Sequence, residues 1–163
     1  MQRAFSLIEL VIVVVITAVI AAIAVPRVTE ASRNATAAGI AAHLRRMAAA
    51  FELYHAEHGA WPPMAVNGAM PTEMAGRIDP GAFGPTPAGG EYRWFNFLSL
   101  DSVFGGCQVT MYDLTGDPLD WDLVARVDAL LDDGDPVTGA FVRHTINCVD
   151  ADGVFASLRL ATH

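Results

Sequence analysis

The sequence has no lysine, and its ten arginines stand against eighteen acidic residues. The imbalance lies in the second part of the chain: residues 63–163 hold five arginines and fourteen acids, a net charge of −9, whereas residues 1–62 have a net charge of +1. Nucleic-acid phosphates require a basic protein surface. We therefore do not expect nucleic acid as a primary ligand.

Cysteine is also scarce, since Cys107 and Cys148 are the only two. In an exported domain an even number of cysteines predicts a disulfide, which here would close a loop of about forty residues. An unstrained bridge of this length contributes roughly 4 kcal/mol through loop-closure entropy. Two buried free thiols are the alternative that the sequence leaves open.

Motifs for catalysis are missing as well. The chain has no nucleophile motif, and its glycine-rich stretches do not lie between a strand and a helix, as a phosphate-binding loop would. We therefore expect a protein that is not an enzyme. A hydrolase on a membrane anchor is the enzyme-class alternative, but the sequence offers no constellation of residues for it.

A long apolar run is present near the start of the chain. Residues 5–25 contain one charged residue, Glu9. With a rise of about 1.5 Å per residue, a helix of this length spans roughly 31 Å and matches the ~30 Å hydrocarbon core of a bilayer. A helix also satisfies all its backbone groups in lipid. The run therefore predicts one transmembrane helix.

Glu9 is unusual in such a helix, since an isolated carboxylate in a bilayer costs about 2.5–3.5 kcal/mol on insertion scales. Two alternatives for this segment are a secretory signal cleaved after Ala24 and a plain membrane anchor. Neither explains why the apolar run contains an acid. We therefore expect Glu9 to have a partner or a function.

The order FSLIEL, with a short basic leader before it and an apolar run ending at Pro26 after it, resembles the N-terminus of the type IV pilin superfamily. This superfamily includes the pseudopilins of type II secretion systems. The resemblance implies that a prepilin peptidase removes the leader, residues 1–4, by cutting between Ala4 and Phe5, and then methylates the new N-terminus at Phe5. Members of the superfamily usually have glycine where this chain has Ala4.

The resemblance also implies a role for Glu9. Cleavage creates a cationic amine at Phe5, and the Glu9 carboxylate of a neighbouring subunit can neutralise it where the dielectric is low. A displacement of about one helical turn, 5–6 Å, brings the two groups of adjacent subunits level. The implied partners are other copies of the chain in a filament, the prepilin peptidase, the inner-membrane assembly machinery and the membrane itself.

The implied location is the inner membrane, crossed once, with the head outside the cytoplasm, followed by an extracellular or periplasmic filament. The implied function is that of a structural subunit of a type IV pilus or a type II secretion pseudopilus. The alternative is a minor pilin whose acidic head binds an exported substrate or partner without forming the bulk of the filament.

Beyond the apolar run, the pattern predicts a second helical half over residues 26–58. Pro26 removes one hydrogen bond and predicts a kink or loosened turn, with a plain break as the alternative. An apolar stripe then recurs at helical spacing, at Ile40, Leu44, Met47, Phe51 and Tyr54. Gly59 and the prolines after it predict the end of this helix.

The remainder, residues 59–163, reads as a globular head. Residues 59–90 form a variable loop, and residues 91–163 a sheet with one short helix. Strands are predicted at 92–100, 108–114, 140–148 and 154–161, and a helix at 118–131 capped by Asp117. The fold class is α+β and pilin-like: a long N-terminal helix whose amphipathic half packs on a small antiparallel sheet.

Two acidic loops in the head raise the question of a metal. Some pseudopilins hold Ca²⁺ near the sheet, so the resemblance implies a candidate calcium site among Asp132, Asp133, Asp135, Asp150 and Asp152. The spacing does not match an EF-hand, and aspartate and glycine are also ordinary turn residues. We expect no other cofactor.

Overall fold

The computed structural model describes residues 6–66, 69–96, 106–112, 118–135, 137–148 and 151–160, with the backbone alone at 144–148 and 151–155. Its helices and strands are α1 Leu7–His58, β1 Glu91–Asn96, β2 Cys107–Tyr112, α2 Trp121–Leu131, β3 Phe141–Cys148 and β4 Ala151–Arg159. The chain forms two compact units, residues 1–35 and residues 36–163. The predicted α+β class is confirmed.

The second half of α1 supplies one wall of the head's core. Its buried residues are Ala37, Ile40, Ala41, Leu44, Met47, Ala48 and Phe51. Because these positions recur every three or four residues, they line one face of the helix. Gly59 ends α1 with a φ of 69° and donates its backbone N–H to the His55 carbonyl at 2.8 Å, a helix stop that glycine makes without strain.

The four strands form one antiparallel sheet in the order β1-β2-β4-β3. After β2 the chain forms α2 and then β3, which lies at the far edge of the sheet. The last strand, β4, lies between β2 and β3. β4 begins at Ala151, three residues earlier than predicted, because Asp152 pairs with Asn147 and Ala151 with Cys148. The predicted strands leave residues 149–153 as a loop. Pairing of residues 151–153 with β3 gives their backbone groups hydrogen-bond partners within the sheet instead of water.

The core is centred on an aromatic contact between α1 and β1. The rings of Phe51 and Trp94 stack with centroids 3.8 Å apart and planes within 6° of parallel. Trp94 donates its indole N–H to the Pro62 carbonyl at 3.3 Å, and Asn96 donates its amide to the same oxygen at 3.0 Å. The turn after α1 is therefore attached to the strand on which the helix packs.

The short helix α2 starts at Trp121, with Asp120 as its N-cap. The Asp120 carboxylate accepts hydrogen bonds from the backbone N–H groups of Asp122 and Leu123 at 3.1 and 3.2 Å. The predicted start at residue 118 with Asp117 as cap is thus corrected, and Asp117 itself lies outside the described residues. Leu119 is buried before the helix begins, and α2 starts three residues later than predicted.

The two cysteines lie at opposite ends of the sheet. Cys107 begins β2 and accepts a backbone hydrogen bond from Leu160, just after β4, whereas Cys148 pairs with Ala151 at the start of β4. Nine residues of strand separate these levels, about 30 Å, while a disulfide needs Cα atoms within roughly 7 Å. The predicted bridge is therefore corrected: Cys107 is a free, buried thiol, and burial raises its pKa to about 12.

We predict that Phe51→Ala lowers the free energy of unfolding by about 3–5 kcal/mol, because it removes a fully buried ring and leaves a cavity against Trp94. Leu53 on the same helix is 56% exposed. Leu53→Ala is the matched control and should change stability by no more than about 0.5 kcal/mol. Urea unfolding followed by tryptophan fluorescence measures both, and equal effects would show that the stripe does not organise the core.

Candidate functional site

The first turn of α1 holds the predicted assembly acid. Ala4 and Phe5 lie outside the described residues, and Ser6 comes immediately before the helix. Glu9 turns back, and its carboxylate accepts the backbone N–H of Ser6 at 3.1 Å. Ser6 and Glu9 thus have the spacing of a capping box, in which an acid at the third helical position satisfies the N–H of the capping residue.

This hydrogen bond directs the Glu9 carboxylate toward the N-terminal end of α1. The partial positive charge of the helix dipole lies at that end and favours an acid there. This local role was not predicted, although the spacing Ser-x-x-Glu in FSLIEL is the sequence pattern of a capping box. The carboxylate is therefore held one residue away from the position where cleavage would create the Phe5 amine.

The surface that follows is apolar on every side. Between Leu7 and Val28 all the large hydrophobic side chains are 48–80% exposed. An 18-residue window of α1 has a mean hydropathy of 3.0 with no part of it buried, so the helix is long and apolar enough to cross a membrane. Thr17 satisfies its hydroxyl internally, on the carbonyls of Val13 and Val14 at 2.9 and 3.0 Å. An apolar surface of this size requires lipid or other protein.

Pro26 lies inside α1, which is helical on both sides of it. The predicted alternative of a plain break is thereby corrected. Proline has no backbone N–H to donate, so the turn around it lacks one hydrogen bond of the helix. Loosening of this turn stays a prediction.

Residues 1–25 match the family model described as the prokaryotic N-terminal methylation motif. This motif is the signature of type IV pilins and pseudopilins, so the chain has a prepilin-type N-terminus, and the resemblance noted in its sequence is confirmed over these residues. With the apolar helix behind it, the motif indicates a membrane-anchored, type IV pilin-like protein. Comparison with curated proteins and with solved structures gave no match for the chain.

A second cluster lies in the head, where α2 ends. Oxygens of Asp128, Asp132 and Asp133 lie within 4.8 Å of one another, and we call these three residues the acidic corner. Asp128 is fully buried, and neither of its carboxylate oxygens accepts a hydrogen bond from the residues that the structure describes. Burial, followed by the charges of Asp133, Asp132 and Asp135, raises the pKa of Asp128 to about 6.

The other two carboxylates of the acidic corner are fixed by the loop after α2. Asp132 accepts a hydrogen bond from the backbone N–H of Ala140 across the loop. Asp133 accepts one from the N–H of Asp135 at 2.9 Å and one from the hydroxyl of Thr138 at 2.8 Å. The hydrogen bond from Asp135 has the larger effect and that from Thr138 the smaller, and both hold the pKa of Asp133 below its usual value. Asp132 and Asp133 therefore have partners that Asp128 lacks.

The aspartates proposed from the sequence as calcium ligands do not lie together. Asp132 reaches the first residue of β3, since it accepts the N–H of Phe141 at 3.3 Å. Asp152 lies in β4 opposite Asn147, six residues further along β3, or about 20 Å away. Asp150 lies outside the described residues. The predicted set thus reduces to the loop after α2, where its members join a residue that the sequence analysis missed.

That residue, Asp128, was overlooked because it lies inside a predicted helix. Asp132 lies four positions further along the chain, and this i, i+4 spacing places two side chains on the same helical face. The spacing alone, however, gives no information on burial. The structure supplies that part, since the side chain of Asp128 faces the core with Val124 and Val127.

We predict that, in the presence of a chelator at pH 7, Asp128→Asn raises the free energy of unfolding by about 1–2 kcal/mol, because it removes a buried charge that has no hydrogen-bond donor. Asp122→Asn is the matched control, since Asp122 lies on the exposed side of the same helix, 3.2 Å from Arg126. It should cost no more than about 0.5 kcal/mol. Chemical unfolding measures both, and destabilisation by Asp128→Asn would contradict the prediction.

Proposed function

We propose that this protein is a structural subunit of a type IV pilus or of a type II secretion pseudopilus, and not an enzyme. A prepilin peptidase cleaves it between Ala4 and Phe5 and methylates Phe5. The inner-membrane assembly machinery then takes it from the membrane into a filament built from its N-terminal helix. The observation that carries this proposal is the methylation motif followed directly by an apolar helix surface exposed on all sides.

The exposed surface supports assembly through α1. Before assembly the lipid bilayer covers the apolar side chains, with the head outside the cytoplasm. In a filament the same side chains pack against those of neighbouring subunits, so the transfer from lipid to protein leaves no apolar surface in water. A single surface thus serves both as anchor and as contact.

Glu9 provides the register of assembly in this proposal. The capping hydrogen bond from Ser6 satisfies one oxygen of Glu9, but the part of the chain that the structure describes supplies no counterion for its charge. The Phe5 amine of an adjacent subunit would supply that counterion, one helical turn away along the axis, in a surrounding of low dielectric. Only subunits at the correct axial displacement form the pair, so it selects one packing among many apolar ones.

Ala4 and Pro26 have supporting roles. Alanine is the next-smallest residue after glycine and keeps the bond before Phe5 accessible to the peptidase. Pro26 lacks the N–H that would donate to Ala22, so this turn loosens at a lower cost than the rest of α1 when subunits pack side by side.

We predict that the mature protein begins with N-methylphenylalanine at residue 5. Mass spectrometry of the protein extracted from membranes should show loss of residues 1–4 and one added methyl group. Ala4→Gly is the control and should be processed at least as fast as the natural chain. An N-terminus after Ala24 would indicate a secreted protein, an intact Met1 would indicate a plain anchor, and either result would contradict the proposal.

We predict that Glu9→Gln inserts into the membrane and is processed normally but fails to assemble. Glutamine can still accept the N–H of Ser6, so the cap remains, while the charge that neutralises the Phe5 amine is lost. Filament yield, measured by shearing and immunoblotting, should fall at least about tenfold, since the loss leaves a buried amine uncompensated.

Glu30→Gln is the control on the same helix outside the apolar run, and it should assemble normally. Normal filament yield from Glu9→Gln would show that Glu9 serves as a helix cap alone. A chain that is processed but is present in only a few copies per filament would favour the minor-pilin alternative.

A further inference from the structure

We propose that a groove beside the second half of α1 binds an acidic loop from the head of a second copy of this chain. The basic groove, as we call it, lies between α1 and residues 77–87, and its α1 side is lined by Thr36, Gly39, Ile40, His43, Arg46, Met47 and Ala50. The acidic loop follows α2 and comprises residues 132–135 and 137. The inference rests on the proposed assembly into a filament and names one contact between copies within it.

The basic groove is large enough to hold a protein segment. It consists of two adjoining cavities of about 490 Å³ each, which share His43, Arg46 and Ala82 in their walls. Pockets that hold ligands typically measure about 300–1,000 Å³. The α1 side extends from Thr36 to Ala50, about 21 Å at 1.5 Å per residue.

Arg46 gives the groove a positive charge that the described residues do not neutralise. It is exposed, and no carboxylate in the described part of the chain forms an ion pair with it. Arg77 in the opposite wall already has a partner, Glu57, at 2.5 Å. The Asp79 carboxylate is directed to the backbone N–H of Gly81, which it accepts at 2.8 Å. An anionic group that enters from outside would therefore find its counterion in Arg46.

The groove is apolar below its charged groups and open along α1. Met47 and Ile78 are buried and contribute apolar surface to its floor. A Cβ added to Gly39 would meet no atom within 4 Å. Glycine inside a helix is less stable than alanine, so internal packing gives no reason for it at this position. The space beside Gly39 allows the backbone of another chain to approach α1 closely.

The acidic loop has the complementary features. Asp132, Asp133 and Asp135 are exposed, and Val137 next to them is 76% exposed. The loop is ordered by its own hydrogen bonds, since Asp133 accepts the hydroxyl of Thr138 at 2.8 Å and Asp135 accepts the N–H of Val137 at 3.0 Å. An ordered loop loses little conformational entropy on binding. Its carboxylates match the arginine of the groove, and its valine matches the apolar floor.

The groove and the loop lie on opposite flanks of α1, so they cannot meet within one chain. His43, in the groove, donates to the Ala82 carbonyl at 3.0 Å, whereas Arg45 donates to the carbonyl of Leu130, shortly before the acidic loop. Positions 43 and 45 are about 200° apart around a helix of 3.6 residues per turn. The contact must therefore join two copies through different surfaces, and contacts of this heterologous kind generate filaments when they do not close a ring.

The charges in this contact select the partner and its orientation more than they supply affinity. Exposed ion pairs contribute little stability, and salt screens them beyond about 8–10 Å. Packing of the apolar part of α1 holds neighbouring copies at a high effective concentration, so a weak contact is sufficient to orient the heads.

Cysteine cross-linking tests the contact directly. Two full-length chains with different tags, one carrying Arg46→Cys and the other Asp135→Cys, are co-expressed and oxidised in membranes and in sheared filaments. A dimer with both tags should form at least about fivefold more than with Arg159→Cys in place of Arg46→Cys, because a disulfide requires Cα atoms within about 7 Å. Arg159 is the matched control, an exposed arginine in β4 outside the groove.

Each cysteine variant expressed alone controls for the two natural cysteines. Mixed dimers no more frequent than with Arg159→Cys would overturn the proposal. A link from Arg46→Cys to a different protein instead of a second copy would overturn it as well, because the occupant of the groove would then be another partner.

Charge reversal provides a second test. Arg46→Glu should lower filament yield at least about threefold through repulsion of the acidic loop, and Arg46→Glu combined with Asp135→Arg should restore it. Both positions are exposed, so the thermal unfolding midpoint should stay that of the natural chain, and Arg159→Glu should assemble normally. Normal yield from Arg46→Glu, or no recovery in the double variant, would overturn the contact.

The outcomes separate this contact from the proposed function. Normal assembly of Arg46→Glu together with failure of Glu9→Gln would reject the contact and leave the proposed function in place. A natural chain that keeps Met1 and forms no filament would reject the proposed function, and the absence of mixed dimers in the membrane would then reject the contact independently.

Discussion

Burial of the apolar stripe on the second half of α1 is the interaction on which the head depends. Phe51 stacks on Trp94 of β1, Arg45 donates to the carbonyl of Leu130 in α2, and the His43 ring contacts the connection that precedes the sheet. The first strand, the short helix and the connection before the sheet thus each have a contact with the same helix. Strands this short need another element on which to bury their apolar side chains, and for β1 that element is α1.

Two carboxylates illustrate how the chain places charge where water is scarce. Glu9 lies at the start of an apolar helix and is partly satisfied by the N–H of Ser6 and by the helix dipole. Asp128 lies instead in the C-terminal turn of a helix. The partial negative charge of the helix dipole at that end raises the free-energy cost of burying its carboxylate. For Glu9 the missing positive charge comes from outside the single chain in our proposal, as an amine of another subunit, whereas burial raises the pKa of Asp128 to about 6.

Much of the fold could be predicted from the sequence, because periodicity is a local property. The end of α1 at His58, the apolar stripe, the cores of all four strands and the antiparallel arrangement follow from patterns within ten or so consecutive residues. The errors have long-range causes. α2 starts late because Asp120 donates its N–H to the carbonyl of Ala88, and β4 starts early because Ala151 has a partner in β3.

The processing motif and the apolar helix behind it are properties of consecutive residues, and neither depends on how the head folds. Which residues meet in the head depends instead on strand order and register. Insertion of β4 between β2 and β3 separates Cys107 from Cys148, and the same register moves Asp152 away from the loop after α2. The packing of α2 then buries Asp128 beside Asp132. The spacing of residues along the chain determines which side chains share a face of a helix or strand. Which of these faces are buried is decided only by tertiary packing.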